Sequence, residues 1–143
     1  MTDLCRVADR FFVAPQLRAE DFAAARSLGI KTVINNRPDG EAADQLSDVA
    51  ARTAATAAGL EYRWVPVVSG RMTMANIEDF RAAVDGTEGP WLAYCRSGTR
   101  SCHLWAFTAI RDTPLADVVG GAADAGYDLG QLVAPLKQLS GEE

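Results

Sequence analysis

The chain has 143 residues, of which 48% are hydrophobic and 23% are charged, and its formal net charge is −5. These values are typical of one soluble globular domain, and we assign residues 1–143 to a single domain. No basic excess is present to neutralise phosphates and no apolar run approaches about 18 residues, so we expect neither a nucleic-acid partner nor a membrane partner.

Short apolar runs alternate with helical periodicity along the chain. In chain order, strands are predicted at 10–14, 31–35, 61–67 and 91–94. Helices are predicted at 20–28, at 46–57 before Gly59, after a Thr73 cap, at 100–110, after Thr113-Pro114, and around 129–136.

Strands separated by helices of this length favour a parallel or mostly parallel sheet covered on both faces. We therefore predict an α/β fold, a three-layer αβα domain with a central sheet of 4–5 strands. In such folds ligands bind where the strands end. Two polar segments follow predicted strands, at 37–41 (RPDGE) and 95–101 (CRSGTRS).

The segment after the last strand has the composition of an anion-binding loop. The N–H groups of 96–101 and the dipole of the following helix favour an anion, and Gly98 permits the positive φ that such a loop needs. The same donors favour the thiolate of Cys95, which is the nucleophilic form. Arg100 can bind an oxyanion with two prongs, and Ser101 can donate to the thiolate. The predicted anion-binding residues are Arg96, Ser97, Gly98, Thr99 and Arg100.

The sequence resembles a known family. CRSGTRS is similar to the active loops of cysteine phosphatases and rhodanese-type sulfurtransferases. Together with KTVINNRPDGE, GLEYRWVPV, YCRSGTRSCHLWA and AGYDL, it resembles the beta-lactamase-hydrolase-like, phosphatase-like domain family over roughly residues 10–130. The resemblance implies a compact cysteine-phosphatase-like domain related to dual-specificity phosphatases, with Cys95 as nucleophile and Arg100 as anion-binding arginine. It also implies a functional association with metallo-beta-lactamase-like enzymes of sulfide oxidation.

The spacing in the loop leaves three functions open. Protein tyrosine and dual-specificity phosphatases place five residues between cysteine and arginine and a histidine before the cysteine. Here four residues separate Cys95 from Arg100, as in rhodanese-type loops, and Tyr94 precedes the cysteine. The length of the resemblance favours a cysteine-dependent phosphatase acting on a phosphate monoester. The alternatives are a sulfurtransferase that carries a Cys95 persulfide and a non-catalytic module that binds an oxyanion.

A phosphatase also needs a general acid for the leaving oxygen. The related phosphatases carry an aspartate after the preceding strand, but the matching segment 66–71 (PVVSGR) has no acidic residue. Asp39 and Glu41 are the candidate substitutes, and the alternative is that they belong to a plain turn. Arg37 is a candidate second anion contact, or a surface partner of these acids.

The three cysteines have no framework spacing, and no apolar segment follows a basic start at the N-terminus. Reduced thiols and a cytoplasmic location are therefore expected. Cys102 is interpreted as a packing residue, with a disulfide to Cys95 as the alternative. The single histidine, His103, leads us to expect no metal, and we expect no cofactor.

Overall fold

The structure, a computed structural model, describes residues 3–141. In this part of the chain, helices flank a five-stranded sheet. The strands are β1 (Cys5–Ala8), β2 (Phe11–Ala14), β3 (Thr32–Asn35), β4 (Glu61–Trp64) and β5 (Trp91–Tyr94). The helices are α1 (Ala19–Ser27), α2 (Asp48–Ala57), α3 (Met74–Asp85), α4 (Thr99–Ala109), α5 (Leu115–Asp124) and α6 (Val133–Ser140), with a 3₁₀ turn at Gly130–Leu132.

The sheet has the order β1-β2-β5-β3-β4. Strands β2, β5, β3 and β4 are parallel, and β1 pairs with β2 in an antiparallel hairpin. The predicted mostly parallel sheet is therefore confirmed. Strand β1 was not predicted, because its four residues include only one that is buried and the Asp9-Arg10 turn after it lacks the glycine that marks most tight hairpins.

Each face of the sheet has its own apolar core, because successive side chains of a strand point to opposite faces. In β3, Val33 packs with Phe22 of α1 on one face, whereas Ile34 packs with Phe80 of α3 on the other. Burial of each of these phenylalanines stabilises the fold by about 1.5–3 kcal/mol. Helices α1 and α2 cover the first face and α3 to α6 cover the second, which confirms three αβα layers.

The helix start predicted from the Thr73 cap is confirmed. Thr73 accepts a hydrogen bond from Asn76 N at 3.1 Å and begins α3, as predicted. Other boundaries differ. Helix α2 begins at Asp48, after a Ser47 cap, rather than at residue 46. Pro114, rather than Thr113, occupies the N-cap position of α5, and the last predicted helix is divided into the 3₁₀ turn and α6.

The parallel strands place four helix N-termini at one edge of the sheet. Helices α1, α2, α3 and α4 each follow the carboxyl end of β2, β3, β4 and β5. Their dipoles therefore direct partial positive charge toward the edge where residues 95–101 lie. Within residues 3–141, no helix has both the length and the apolar character needed to cross a bilayer.

Candidate active site

Cys95 lies at the base of the loop between β5 and α4. Its side chain is fully buried, and its Sγ accepts a hydrogen bond from Gly98 N at 3.1 Å. Gly98 adopts φ +91 and is the N-cap of α4. The positive φ turns the chain back over the sulfur, so the predicted glycine requirement has a structural basis.

Further N–H groups of the loop are available to an anion. Within residues 3–141, no protein acceptor bonds the N–H groups of Arg96, Ser97, Arg100 or Ser101. Those of Arg100 and Ser101 belong to the first turn of α4, where backbone N–H groups have no intrahelical partner. The loop therefore offers unsatisfied donors together with the positive end of a helix dipole.

Arg100 is held in one orientation beside the nucleophile. Its Nη1 donates to Glu41 Oε2 and to Val67 O, both at 2.8 Å, and its Nη2 donates to Glu41 Oε1 at 2.9 Å. The hydrogen bond to Glu41 is the largest cause of the raised pKa of Arg100, and the proximity of Cys95 contributes to it. The guanidinium is thus held by Glu41 and Val67 close to Cys95.

Glu41 bridges two arginines. In addition to the Arg100 pair, Glu41 Oε1 accepts from Arg37 Nε at 2.9 Å, and Arg37 Nη1 donates to Gln16 Oε1 at 3.0 Å. The hydrogen bond from Arg100 outweighs partial burial and, with Arg37, lowers the pKa of Glu41. The structure therefore places this predicted acid as a carboxylate that holds Arg100, and Arg37 as its second partner.

Asp39, the other predicted acid, has a different hydrogen-bond partner. Its Oδ1 accepts a hydrogen bond from Asp48 N at 2.8 Å, in the first turn of α2, and its side chain is exposed. A carboxylate at a helix N-terminus is stabilised by the dipole. The structure brings Arg37, Glu41 and Arg100 together and leaves Asp39 at α2.

Ser101 is buried, and its hydroxyl donates to Asn36 Oδ1 at 2.8 Å. Asn36 in turn donates through Nδ2 to Val65 O at 2.9 Å and through its backbone N to Tyr94 O at 2.8 Å. In place of the predicted bond to the Cys95 thiolate, Ser101 ties the start of α4 to the ends of β3, β4 and β5.

Tyr127 supports the loop from its outer side. Its hydroxyl donates to Ser97 O at 3.1 Å. A Cβ added at Gly98 would collide with this hydroxyl and would lie 3.3 Å from Ala14 O. Both the conformation of Gly98 and the close approach of Tyr127 therefore exclude a larger residue at this position.

The structure describes all three cysteines as free. Cys102 is fully buried in the core around α4, in agreement with its predicted packing role. Burial, and to a lesser extent the neighbouring Cys95, raises the pKa of the Cys102 thiol to about 12. A disulfide between Cys95 and Cys102, the alternative given from the sequence, stays untested.

Sequence reasoning missed the residues that hold the site in shape. Asn36, Gln16 and the carbonyl of Val67 lie in segments after other strands, and their contacts depend on the strand order. Tyr127 lies in AGYDL, a motif used for the family resemblance, but the motif gave no indication that its hydroxyl would contact the loop.

A cavity of about 630 Å³ lies away from this site. Phe11, Trp91, Trp105 and Arg111 are among its lining residues, at the starts of β2 and β5 and the end of α4. These positions are at the opposite edge of the sheet from Cys95. The cavity therefore does not belong to the site built around the loop.

The sequence of this chain is similar to that of curated proteins. A "Beta-lactamase hydrolase-like protein" of Xylella fastidiosa is 37% identical over 134 residues, which cover 92% of this chain and 31% of that protein. The chain thus spans about a third of the length of the curated relatives it matches.

Two solved structures share the fold. A candidate phosphatase of Neisseria meningitidis is 31% identical, with a TM-score of 0.81 over 94% of this chain and 96% of that chain. A kinase-associated phosphatase, solved with its catalytic cysteine replaced by serine, is 11% identical, with a TM-score of 0.68 over 100% of this chain and 97% of that chain. At this low identity the second likeness concerns the fold alone.

Residues 3–111 match the family described as "Beta-lactamase hydrolase-like protein, phosphatase-like domain". The match includes β1 to β5, the Glu41–Arg100 pair and the Cys95 loop. The expected cysteine-phosphatase-like fold is confirmed by the solved structures. The chain therefore belongs to the phosphatase-like domain family of the beta-lactamase hydrolase-like proteins.

Proposed function

We propose that the chain is a cysteine-dependent phosphatase that acts on a phosphate monoester through a cysteinyl-phosphate. The observation that carries this proposal is the arrangement around Cys95. Its sulfur accepts Gly98 N–H inside a loop with unsatisfied N–H groups, and Arg100 is fixed beside it. A family of phosphatase-like domains with cysteine-phosphatase neighbours gives the same reaction class.

In the first step the Cys95 thiolate attacks phosphorus. The S–P bond forms, the bond from phosphorus to the leaving oxygen breaks, and its electron pair goes to that oxygen. The loop N–H groups and Arg100 bind the other phosphoryl oxygens, on which negative charge is held in the transition state. Water then attacks the cysteinyl-phosphate, and the electron pair of the S–P bond returns to sulfur.

The test compares wild type, Cys95→Ser and Arg100→Ala on an aryl phosphate. We expect Cys95→Ser to abolish turnover and Arg100→Ala to lower kcat by about 10²–10³-fold, the cost of losing one oxyanion donor. Rapid acid quench should trap a phosphoryl group on Cys95. Full activity of Cys95→Ser would overturn the proposal, and tight phosphate binding without any turnover would identify a non-catalytic oxyanion-binding module.

Sulfur transfer is the second candidate, and the four-residue spacing between Cys95 and Arg100 favours it. The thiolate would attack the outer sulfur of thiosulfate, forming a persulfide S–S bond while sulfite leaves with the electron pair of the broken S–S bond. This step needs no general acid. The expected result is a mass gain of one sulfur on Cys95, and an unchanged thiol with both thiosulfate and glutathione persulfide would contradict it.

We also propose a cytoplasmic location and a functional association with a metallo-beta-lactamase-like sulfur enzyme. The family resemblance motivates both, and the longer relatives leave room for further domains beside this one. Co-purification of such an enzyme with the tagged chain from its native cells is the measurement. Recovery of the chain without any such enzyme, under conditions that preserve weak complexes, would contradict the association.

A further inference from the structure

We propose that this site cleaves phosphates whose leaving group departs without being protonated, so that phosphoanhydrides and aryl phosphates are substrates and alkyl phosphates are poor ones. The inference rests on the proposed phosphatase function and names its substrate class. It follows from where the carboxylates of the site are held and from a cation in the loop that pairs with none of residues 3–141.

The first observation is the engagement of Glu41. Both of its oxygens accept hydrogen bonds from Arg100, and Oε1 also accepts from Arg37. A general acid needs a proton on an oxygen that faces the leaving group. A carboxylate clamped between two guanidinium groups is held in its ionised form.

The other titratable groups near this edge are engaged elsewhere, including the Tyr127 hydroxyl, which donates its hydrogen to Ser97 O. Asp39 is bonded to the first turn of α2. The segment 65–73 (VPVVSGRMT), which carries the Arg100 acceptor Val67, has no carboxylic acid and no histidine. Burial, rather than a contact with the site, lowers the pKa of His103, which keeps its imidazole neutral at pH 7.

The chemistry of departure then depends on the leaving oxygen itself. Without a proton, the electron pair of the broken P–O bond stays on that oxygen as an anion. An alkoxide is roughly as basic as hydroxide, so the pKa of its conjugate acid lies far above that of a phenol. A phenolate corresponds to a pKa of about 10, and the phosphate leaving group of a phosphoanhydride to about 6. The site therefore ranks these substrates in the reverse order of those values.

The second observation concerns Arg96. It follows Cys95 directly, its side chain is exposed, and among residues 3–141 it has neither an ion pair nor a side-chain hydrogen bond. Arg37 and Arg100, by contrast, are both paired with Glu41. An unpaired guanidinium beside the nucleophile suits the second phosphate of a phosphoanhydride, whose negative charge grows as it leaves.

The experiment measures kcat/KM for a graded set of leaving groups. The probes are nitrophenyl phosphate, phenyl phosphate, an alkyl phosphate, inorganic pyrophosphate and an alkyl diphosphate. We expect a steep fall with rising leaving-group pKa, with the alkyl phosphate at least about 10²-fold below phenyl phosphate, the minimum contribution of a missing general acid. Equal activity on alkyl and aryl phosphates would overturn the inference.

Substitution of the two carboxylates tests whether either of them acts as a general acid. Glu41→Gln and Asp39→Asn should leave the slope against leaving-group pKa unchanged, whatever they do to absolute rates. A slope that steepens in either variant would identify that residue as the acid and overturn the inference.

The Arg96 subsite has its own test. Arg96→Ala should reduce kcat/KM for the alkyl diphosphate at least about 10-fold more than for nitrophenyl phosphate, which corresponds to the loss of one charge-assisted contact. Arg26→Ala, at the exposed end of α1, removes the same charge far from the loop and is the control. Equal losses on both substrates would contradict the subsite.

These outcomes separate the two proposals. If no phosphate is cleaved, or if Cys95→Ser retains activity, the proposed function fails. If Cys95-dependent turnover occurs with a flat dependence on the leaving group, the proposed function stands and only the substrate class is wrong.

Discussion

Glu41 and Arg100 are 59 positions apart in the chain and form a two-pronged ion pair beside the nucleophile. Nη1 and Nη2 each give one N–H to Glu41, and the second N–H of Nη1 is donated to Val67 O. A guanidinium has further N–H groups on Nε and Nη2, on its other side. Glu41 and Val67 therefore orient Arg100 so that this second fork is left for an oxyanion.

Removing the charge of Glu41 should disturb Arg100 without removing it. We expect Glu41→Gln to lower kcat/KM for an aryl phosphate about 10-fold, because one charge-assisted hydrogen bond is worth about 1.5 kcal/mol. Glu20→Gln, which alters an exposed ion pair with Arg18, is the control. A rise in activity would mean that Glu41 competes with substrate for Arg100.

A double-mutant cycle tests the same pair. If Glu41 acts through Arg100, Glu41→Gln should have little effect when Arg100 is already alanine. Steady-state kinetics of the two single variants and the double variant provide the measurement. Fully additive losses would assign Glu41 a separate role.

Stability should depend on pH through Glu41. Its pKa in the folded chain is below its ordinary value of 4.5, so its contribution is fully present above about pH 4.5 and is lost as pH falls through the lower folded value. Urea unfolding between pH 3 and 7 measures this. The stability difference between wild type and Glu41→Gln should shrink toward the acid end, and a constant difference would contradict the expected linkage.

Gly98→Ala should lower the free energy of unfolding more than an ordinary glycine substitution does. The left-handed backbone alone costs about 1–2 kcal/mol, and the collision with the Tyr127 hydroxyl adds about 1–3 kcal/mol. Gly126→Ala is the matched control, because Gly126 has φ +96 but no atom near the added Cβ. Equal unfolding free energies for the two variants would show that the contact with the Tyr127 hydroxyl adds no cost, because the loop or the tyrosine can move.

Ser101→Ala should destabilise the fold by about 1–3 kcal/mol, because it leaves the buried Asn36 Oδ1 without its donor. Thr108→Val on the same helix removes a buried hydroxyl that bonds Leu104 O within the helix, and it should change the free energy of unfolding little. Chemical denaturation compares them. If Ser101→Ala retains wild-type stability but slows breakdown of the cysteinyl-phosphate, the predicted bond to the Cys95 thiolate would be supported instead.

Local signals were sufficient for most of the architecture. Strand β3 and the start of α3 could be predicted from the sequence, because local residues determine them. These are the β-branched run at Thr32–Asn35 and the capping Thr73. Strand β1 could not, because its structure depends on pairing with β2 rather than on its own pattern.

The candidate site likewise has a part that could be predicted from local sequence and a part that could not. Cys95, Gly98 and Arg100 lie within one loop, and their spacing alone predicted an anion-binding turn before a helix. The hydrogen bonds from Arg100 to Glu41 and to Val67 O could not be predicted, since they join segments that follow different strands. A carboxylate near an arginine in sequence gives no indication of whether it will donate a proton or orient a cation.

The four helix N-termini at one edge of the sheet also affect how substrates arrive. The chain carries a net charge of −5, so a phosphate dianion is repelled on average at long range. Helix dipoles and paired arginines act only locally, and screening limits their reach to about 10 Å at 0.1 M salt. Binding of a phosphate dianion therefore depends on two opposed forces. The net charge of the chain repels it at long range, and the loop attracts it at short range. Added salt should weaken both, so the association rate should depend only weakly on ionic strength.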